Sequence, residues 1–216
     1  MTTYTVNIQC DDQWVDTCQQ SNQKLAMAIF FSDDNGNEVS DIVASTGVVS
    51  TSMVAQWQNK YQIAGTTQKF VIGQSLLIPQ APRKSISIVS LSRLESITYK
   101  QDYVMPNFGQ NYIQANSSLP SDSFGFRNGV TASAIIALPI VGDSQPVSPV
   151  YISQFLNPPG YVKIRPIPKA QFWFQNIEAR TMIPETQNNA YIVDLSGGSS
   201  ATISYNSSGG GWTRLN

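Results

Sequence analysis

The chain has 216 residues, no histidine, and 13 basic against 14 acidic side chains, for a net charge of -1. Without His it cannot assemble a Ser-His-Asp or Cys-His triad, a mixed Cys/His zinc site or a His-carboxylate iron site. With no excess of positive charge and no Lys/Arg cluster, it also lacks the electrostatic footprint of a nucleic-acid binder.

Hydrophobic residues make up 41% and charged residues only 12%, the latter about half the usual share. That composition supplies a core beneath a polar, weakly charged surface, and weak self-repulsion permits oligomers. In chain order, the first signal is the alternation of Tyr4–Ile8, which predicts a strand. The start has neither the basic residues nor the apolar run of a secretory signal. No segment reaches transmembrane length, so a cytoplasmic or leaderless product is expected.

Cys10 and Cys18 bracket Asp11–Thr17, read as a short polar loop. Two facing strands would let the cysteines bond, whereas a reducing compartment favours free thiols, the preferred reading. Leu25–Phe31 predicts a second strand. Asn35-Gly36 then supplies the two positive-φ positions of a type I′ hairpin turn. The stretch Ser52–Gly65 reads either as a helix capped by Gly65, or as a strand with Met53, Ala55, Trp57, Tyr61 and Ile63 on one side. The strand is preferred.

Further strands are expected at Lys69–Ile72, Ser85–Leu91, Ser133–Leu138, Tyr161–Ile164, Gln171–Phe174, Tyr191–Leu195 and Ala201–Tyr205. Seven prolines between Leu138 and Pro168 argue there for loops and edge strands instead of central strands. Gly197-Gly198 and Gly209–Thr213 read as turns and a tail. A weak echo between Ala26–Ile29 and Ala132–Ile135 raises two related halves, about 1–110 and 111–216, with chance similarity the preferred explanation.

The chemistry-bearing residues are few. Paired carboxylates would suffice for glycan cleavage, and the candidates are Glu95, Asp102, Asp122, Asp143, Glu178, Glu185 and Asp194, though spacing pairs no two of them. Asp33, Asp34, Asn35 and Glu38, with Asp41 nearby, offer oxygen ligands for calcium but lack the register of a calcium loop; hairpin geometry accounts for them better. The tripeptides at Asn116 and Asn206 fit the glycosylation pattern and read more simply as loops.

Aromatic rings remain. Trp14 and Trp212 lie among polar residues and glycines and are expected to be exposed ligand-binding rings. Phe172, Trp173 and Phe174 must project to both faces of a strand, so Trp173 is a third candidate ligand-binding ring, with core or self-interface the preferred reading for it, and at least one of the three is expected to serve association or binding.

The expectation is an all-β protein, an antiparallel β-sandwich or barrel-like single domain over 1–216 with at most one short helix. Its expected role is that of a non-enzymatic binding protein, lectin-like or membrane-lipid-recognising, suited to defence or toxin action. Carbohydrate or a lipid headgroup is the expected partner, with a homo-oligomer and no cofactor, metal, nucleic acid or membrane span. A self-assembling structural or storage protein is the first alternative and a carboxylate-dependent glycan-active enzyme the second.

Overall fold

Period-two alternation builds the first strand, β1 (Thr3–Cys10), which buries Val6, Ile8 and Cys10 and exposes Asn7 and Gln9. The computed structural model describes residues 2–76, 91–143, 145–184 and 187–216. The expected loop after β1 is instead a nine-residue helix, α1 (Asp12–Gln20). The Asp11 carboxylate caps it by accepting the Trp14 N–H at 2.7 Å, and Val15 and Cys18 face the core. A capping Asp followed by apolar residues one turn apart outweighs the polarity of the segment. Both cysteines are free and buried.

β2 (Lys24–Ser32) and β3 (Glu38–Val39) form the expected hairpin, with Phe31 opposite Val39. Its turn differs from type I′. Gly36 has φ of +80° while Asn35 is not in the left-handed region, and the Gly36 N–H donates to the Asp33 carbonyl. One positive-φ glycine after an ordinary turn suffices for the longer loop. β4 (Ser45–Val48), β5 (Ser52–Gln58) and β6 (Gln62–Thr66) follow. The strand reading of 52–65 thus holds, as two strands, with Trp57, Tyr61 and Ile63 buried.

Lys69–Ile72 forms no strand: Val71 and Ile72 are exposed and Gly73, at φ +88°, turns the chain. Of Ser85–Leu91, only Leu91 lies within the described residues, where it bridges to Thr66.

The remaining strands are β7 (Glu95–Ser96), β8 (Gln101–Asn107), β9 (Gln110–Ala115), β10 (Phe124–Asn128), β11 (Ser133–Leu138), β12 (Ser148–Ile152), β13 (Gly160–Gln175), β14 (Tyr191–Asp194), β15 (Ser200–Asn206) and β16 (Gly211–Arg214). The last of these replaces the tail expected at the C-terminal glycines: Trp212 pairs with Tyr205 across β15 and β16.

β13 also corrects the proline argument, because a strand containing Pro166 and Pro168 is central. Its first part pairs with β10; its later part lies between β2 and β14. Both prolines fall at the change of neighbour, where the register against β2 shifts between Pro166 and Ala170. Such a shift tolerates a missing N–H. The proline-bearing β12 is an edge strand, as expected.

Among the described residues the result is a mostly β protein with one short helix and three mostly antiparallel sheets, none closed, ordered β16-β15-β1-β5, β3-β2-β13-β10-β8-β9 and β12-β11-β6-β7. β4 pairs with β2 on the outer side of the largest sheet. The main core takes Ile8, Met27, Phe31, Trp57, Tyr103, Phe124, Phe126 and Phe172, all essentially inaccessible. β2 is buried on both faces, since Ala26 and Ala28 pack with Trp173, Val43 and Ile183 in a second, smaller cluster. Among the described residues, no helix is long and apolar enough to cross a membrane.

Candidate functional site

The β2–β3 hairpin leans over β12 and the start of β13, leaving a cleft of about 730 Å³. Its construction begins at Asp33. One carboxylate oxygen accepts the N–H groups of Asn35 and Asn37, both at 2.9 Å, and the other accepts from the Asn37 amide. Neighbouring Asp34 accepts the Lys163 N–H at 3.0 Å, which fastens the hairpin tip to β13. Glu38 meets Lys169 Nζ at 2.5 Å. These carboxylates therefore shape the hairpin, and among the described residues no group of three or more Cys, Asp or Glu is placed to hold a metal ion.

Opposite the hairpin, the cleft is lined by Tyr151, Gln154 and Tyr161. Tyr161 is 38% exposed; its hydroxyl donates to Asp102 at 3.3 Å and Arg127 lies 4.9 Å from its ring centroid. Asp102 itself is buried and also accepts from Asn116 at 3.0 Å. Burial, and secondarily Asp102, pushes the Tyr161 hydroxyl up to about 12. Tyr151 is raised further by burial and then by Asp41, Asp33 and Asp34, so both phenols stay protonated donors at neutral pH. The Asn35 and Gln154 side chains are exposed and make no hydrogen bond to the described residues. Two amides thus face the cleft with their donors and acceptors uncommitted.

The sequence-predicted rings lie elsewhere. Trp14 and Trp212 come together, 197 residues of intervening chain notwithstanding, in a cluster with Phe174, Tyr191 and Tyr205. Trp212 stacks on Phe174 at 5.0 Å and 5°; Trp14 lies 4.7 Å from Tyr205. Both tryptophans are half-buried, not the open rings their polar neighbours suggest, because each packs on at least two others. Trp173 is 2% exposed, and its indole N–H donates to Gln175 at 2.9 Å. No Trp lines the cleft.

The candidate acids are dispersed over separate partners: Glu95 with Arg93, Asp102 with Arg127, Glu178 with Lys24, and Asp143 with Arg180. Asp122 accepts from Ser123, and Asp194 from the Ser196 N–H. Glu185 lies outside the described residues. Sequence reasoning missed Tyr161, Gln154 and Tyr151. The hairpin acids were visible, but nothing local marks the residues that fold against them.

Comparison of the chain with protein-family models, with curated proteins and with solved structures gives no match.

Proposed function

We propose that this protein is a non-enzymatic glycan-binding protein whose site is the cleft between the β2–β3 hairpin and β12–β13. The supporting observation is the lining: uncommitted amides of Asn35 and Gln154 beside a partly exposed tyrosine ring. Sugars need that combination, an aromatic surface for the apolar ring face and amides or carboxylates for the hydroxyls.

The charge of the cleft selects among ligands. Asp33, Asp34, Glu38 and Asp41 outnumber the neighbouring Lys163 and Lys169, so the local field opposes phosphate and sulfate. Neutral glycans fit this field, and anionic lipid headgroups do not. The binding reading is preferred over hydrolysis because the described candidate acids are each held by another residue.

Titration calorimetry with neutral oligosaccharides tests the proposal. Replacing Tyr161 or Gln154 with Ala is expected to weaken binding about five- to tenfold, the effect of losing roughly 1 kcal/mol of contact. Phe174→Ala, away from the cleft, should leave affinity unchanged. Binding that is insensitive to Tyr161 and Gln154 and abolished by Phe174→Ala would move the site to the aromatic cluster.

A further inference from the structure

A second feature lies at β5, the edge strand of the β16-β15-β1-β5 sheet. In the antiparallel pairing with β1, Met53 stands opposite Ile8 and Ala55 opposite Val6, and the Cys10 N–H donates to the Thr51 carbonyl. Residues of that parity turn their backbone groups toward β1, so Ser52, Val54, Gln56 and Gln58 turn theirs outward. The outward groups of Gln56 and Gln58 are taken: the Gln56 carbonyl accepts from Val141 and the Gln58 N–H donates to Pro139. Those of Val54 have no partner among the described residues, and the Ser52 carbonyl accepts the exposed Ser50 hydroxyl at 2.9 Å, which leaves its second lone pair and the Ser52 N–H for an incoming strand. The open part of the edge is therefore the start of the strand.

This edge lines a groove of about 610 Å³ walled also by β4, Ile140–Asp143 and Glu178–Arg180. Val48, Val54 and Val141, at 79%, 58% and 51% exposure, form its apolar rim. The charged residues on its walls are already matched, Arg180 with Asp143 at 2.7 Å and Glu178 with Lys24 at 2.5 Å. A charged peptide would find no counter-charge there.

We infer that the occupant of this edge is a second copy of the same chain, added by antiparallel pairing of the two β5 edges about a twofold axis at Ser52. Charge compatibility decides for a second copy. A twofold axis sets each residue against the partner residue equally far from the axis on its other side, so a charge at or beside the axis would lie close to its own copy. From Val48 to Gln58 there is no charged residue and no proline, the devices by which edge strands ordinarily prevent self-pairing. The whole chain, at net charge -1, adds little long-range repulsion.

The position of the axis follows from the occupied groups. Centring on Val54 would drive the incoming strand into Pro139–Val141, whereas centring on Ser52 sets Val54 opposite the partner's Ser50 and leaves that segment in place. The pairing joins two four-stranded sheets into one. It is independent of the glycan-binding reading, because β5 contributes nothing to the cleft.

The test is sedimentation velocity of the full chain with Ser52→Lys and Ser52→Asp variants. Ser52 is exposed, so both are expected to keep the wild-type circular dichroism spectrum. Wild type should sediment as two chains and each variant alone as one. An equal mixture of the two variants should return to two chains, because Lys and Asp then meet across the axis, a rescue that a folding defect would not produce. A wild type that remains a single chain at every concentration overturns the inference, as does a dimer that neither substitution weakens. Monomeric variants that fail to reassociate on mixing overturn the twofold pairing at Ser52. Capture of an unrelated extended peptide by a monomeric wild type would assign the edge to a different occupant.

Discussion

Three consecutive rings show how differently one strand treats its residues. Phe172 and Phe174 point to one face of β13 and Trp173 to the other, by simple alternation. Phe172 and Trp173 are both buried, on opposite sides, while Phe174 is only half-buried against Trp14, Tyr205 and Trp212. Truncation of Phe172 or Trp173 to Ala is expected to cost about 3–5 kcal/mol in chemical denaturation, and Phe174→Ala clearly less. Equal losses at all three would mean that the aromatic cluster is as closed as the core.

The thiols make a second residue-level point. Burial, aided by the nearby Cys18 and Asp11, pushes Cys10 up to about 12, and burial raises Cys18 to about 11, from an ordinary value of 9.0. A group that ionises less readily folded than unfolded stabilises the fold fully below its unfolded value and ceases to do so as pH rises through its folded one. Tm should therefore fall between pH 9 and 12, and native thiols should resist alkylation at neutral pH until the chain unfolds. A flat Tm across that interval, or rapid native alkylation, would contradict the burial of both residues.

At the scale of elements, the support beneath the cleft runs across three strands. Gly125 of β10 lies between Asp102 of β8 and Lys163 of β13 in the ladder. A Cβ there would collide with the Asp102 carboxylate and with Tyr161. Gly125→Ala is expected to destabilise the protein by about 1–3 kcal/mol, as overpacking does, and to displace Tyr161, weakening glycan binding as well. Unchanged stability and affinity would show that the network yields without consequence.

The same elements show what could be read in advance. β1, β2, β11, β14 and β15 declare themselves by alternation or apolar runs, since burial of one or both faces is a local pattern. α1 is short and mostly polar, so its signal reduces to Asp11 and two core-facing residues. The prolines of β13 mislead because their tolerance depends on a change of neighbouring strand, which only the assembled sheet defines.

At the scale of the whole molecule, the cleft joins Asp33–Glu38 to Gln154 and Tyr161, more than a hundred residues further along. The hairpin half is legible through Asn35-Gly36. The β12–β13 half is not, because the facing residues are set by β2 pairing with β13, and no short-range pattern encodes that choice. Likewise, Trp14 and Trp212 meet only because the parallel pairing of β1 with β15 brings the two ends of the chain together.

The central claim is that the hairpin cleft, and not the aromatic cluster, receives a neutral glycan. Titration of the isotopically labelled protein with neutral oligosaccharides, followed by backbone amide NMR shifts, tests it most directly. Saturable shifts confined to Asn35–Glu38, Tyr151–Gln154 and Tyr161–Lys163 are the expected result. Shifts centred on Trp14, Tyr191 and Trp212, or none with any neutral glycan, would contradict it.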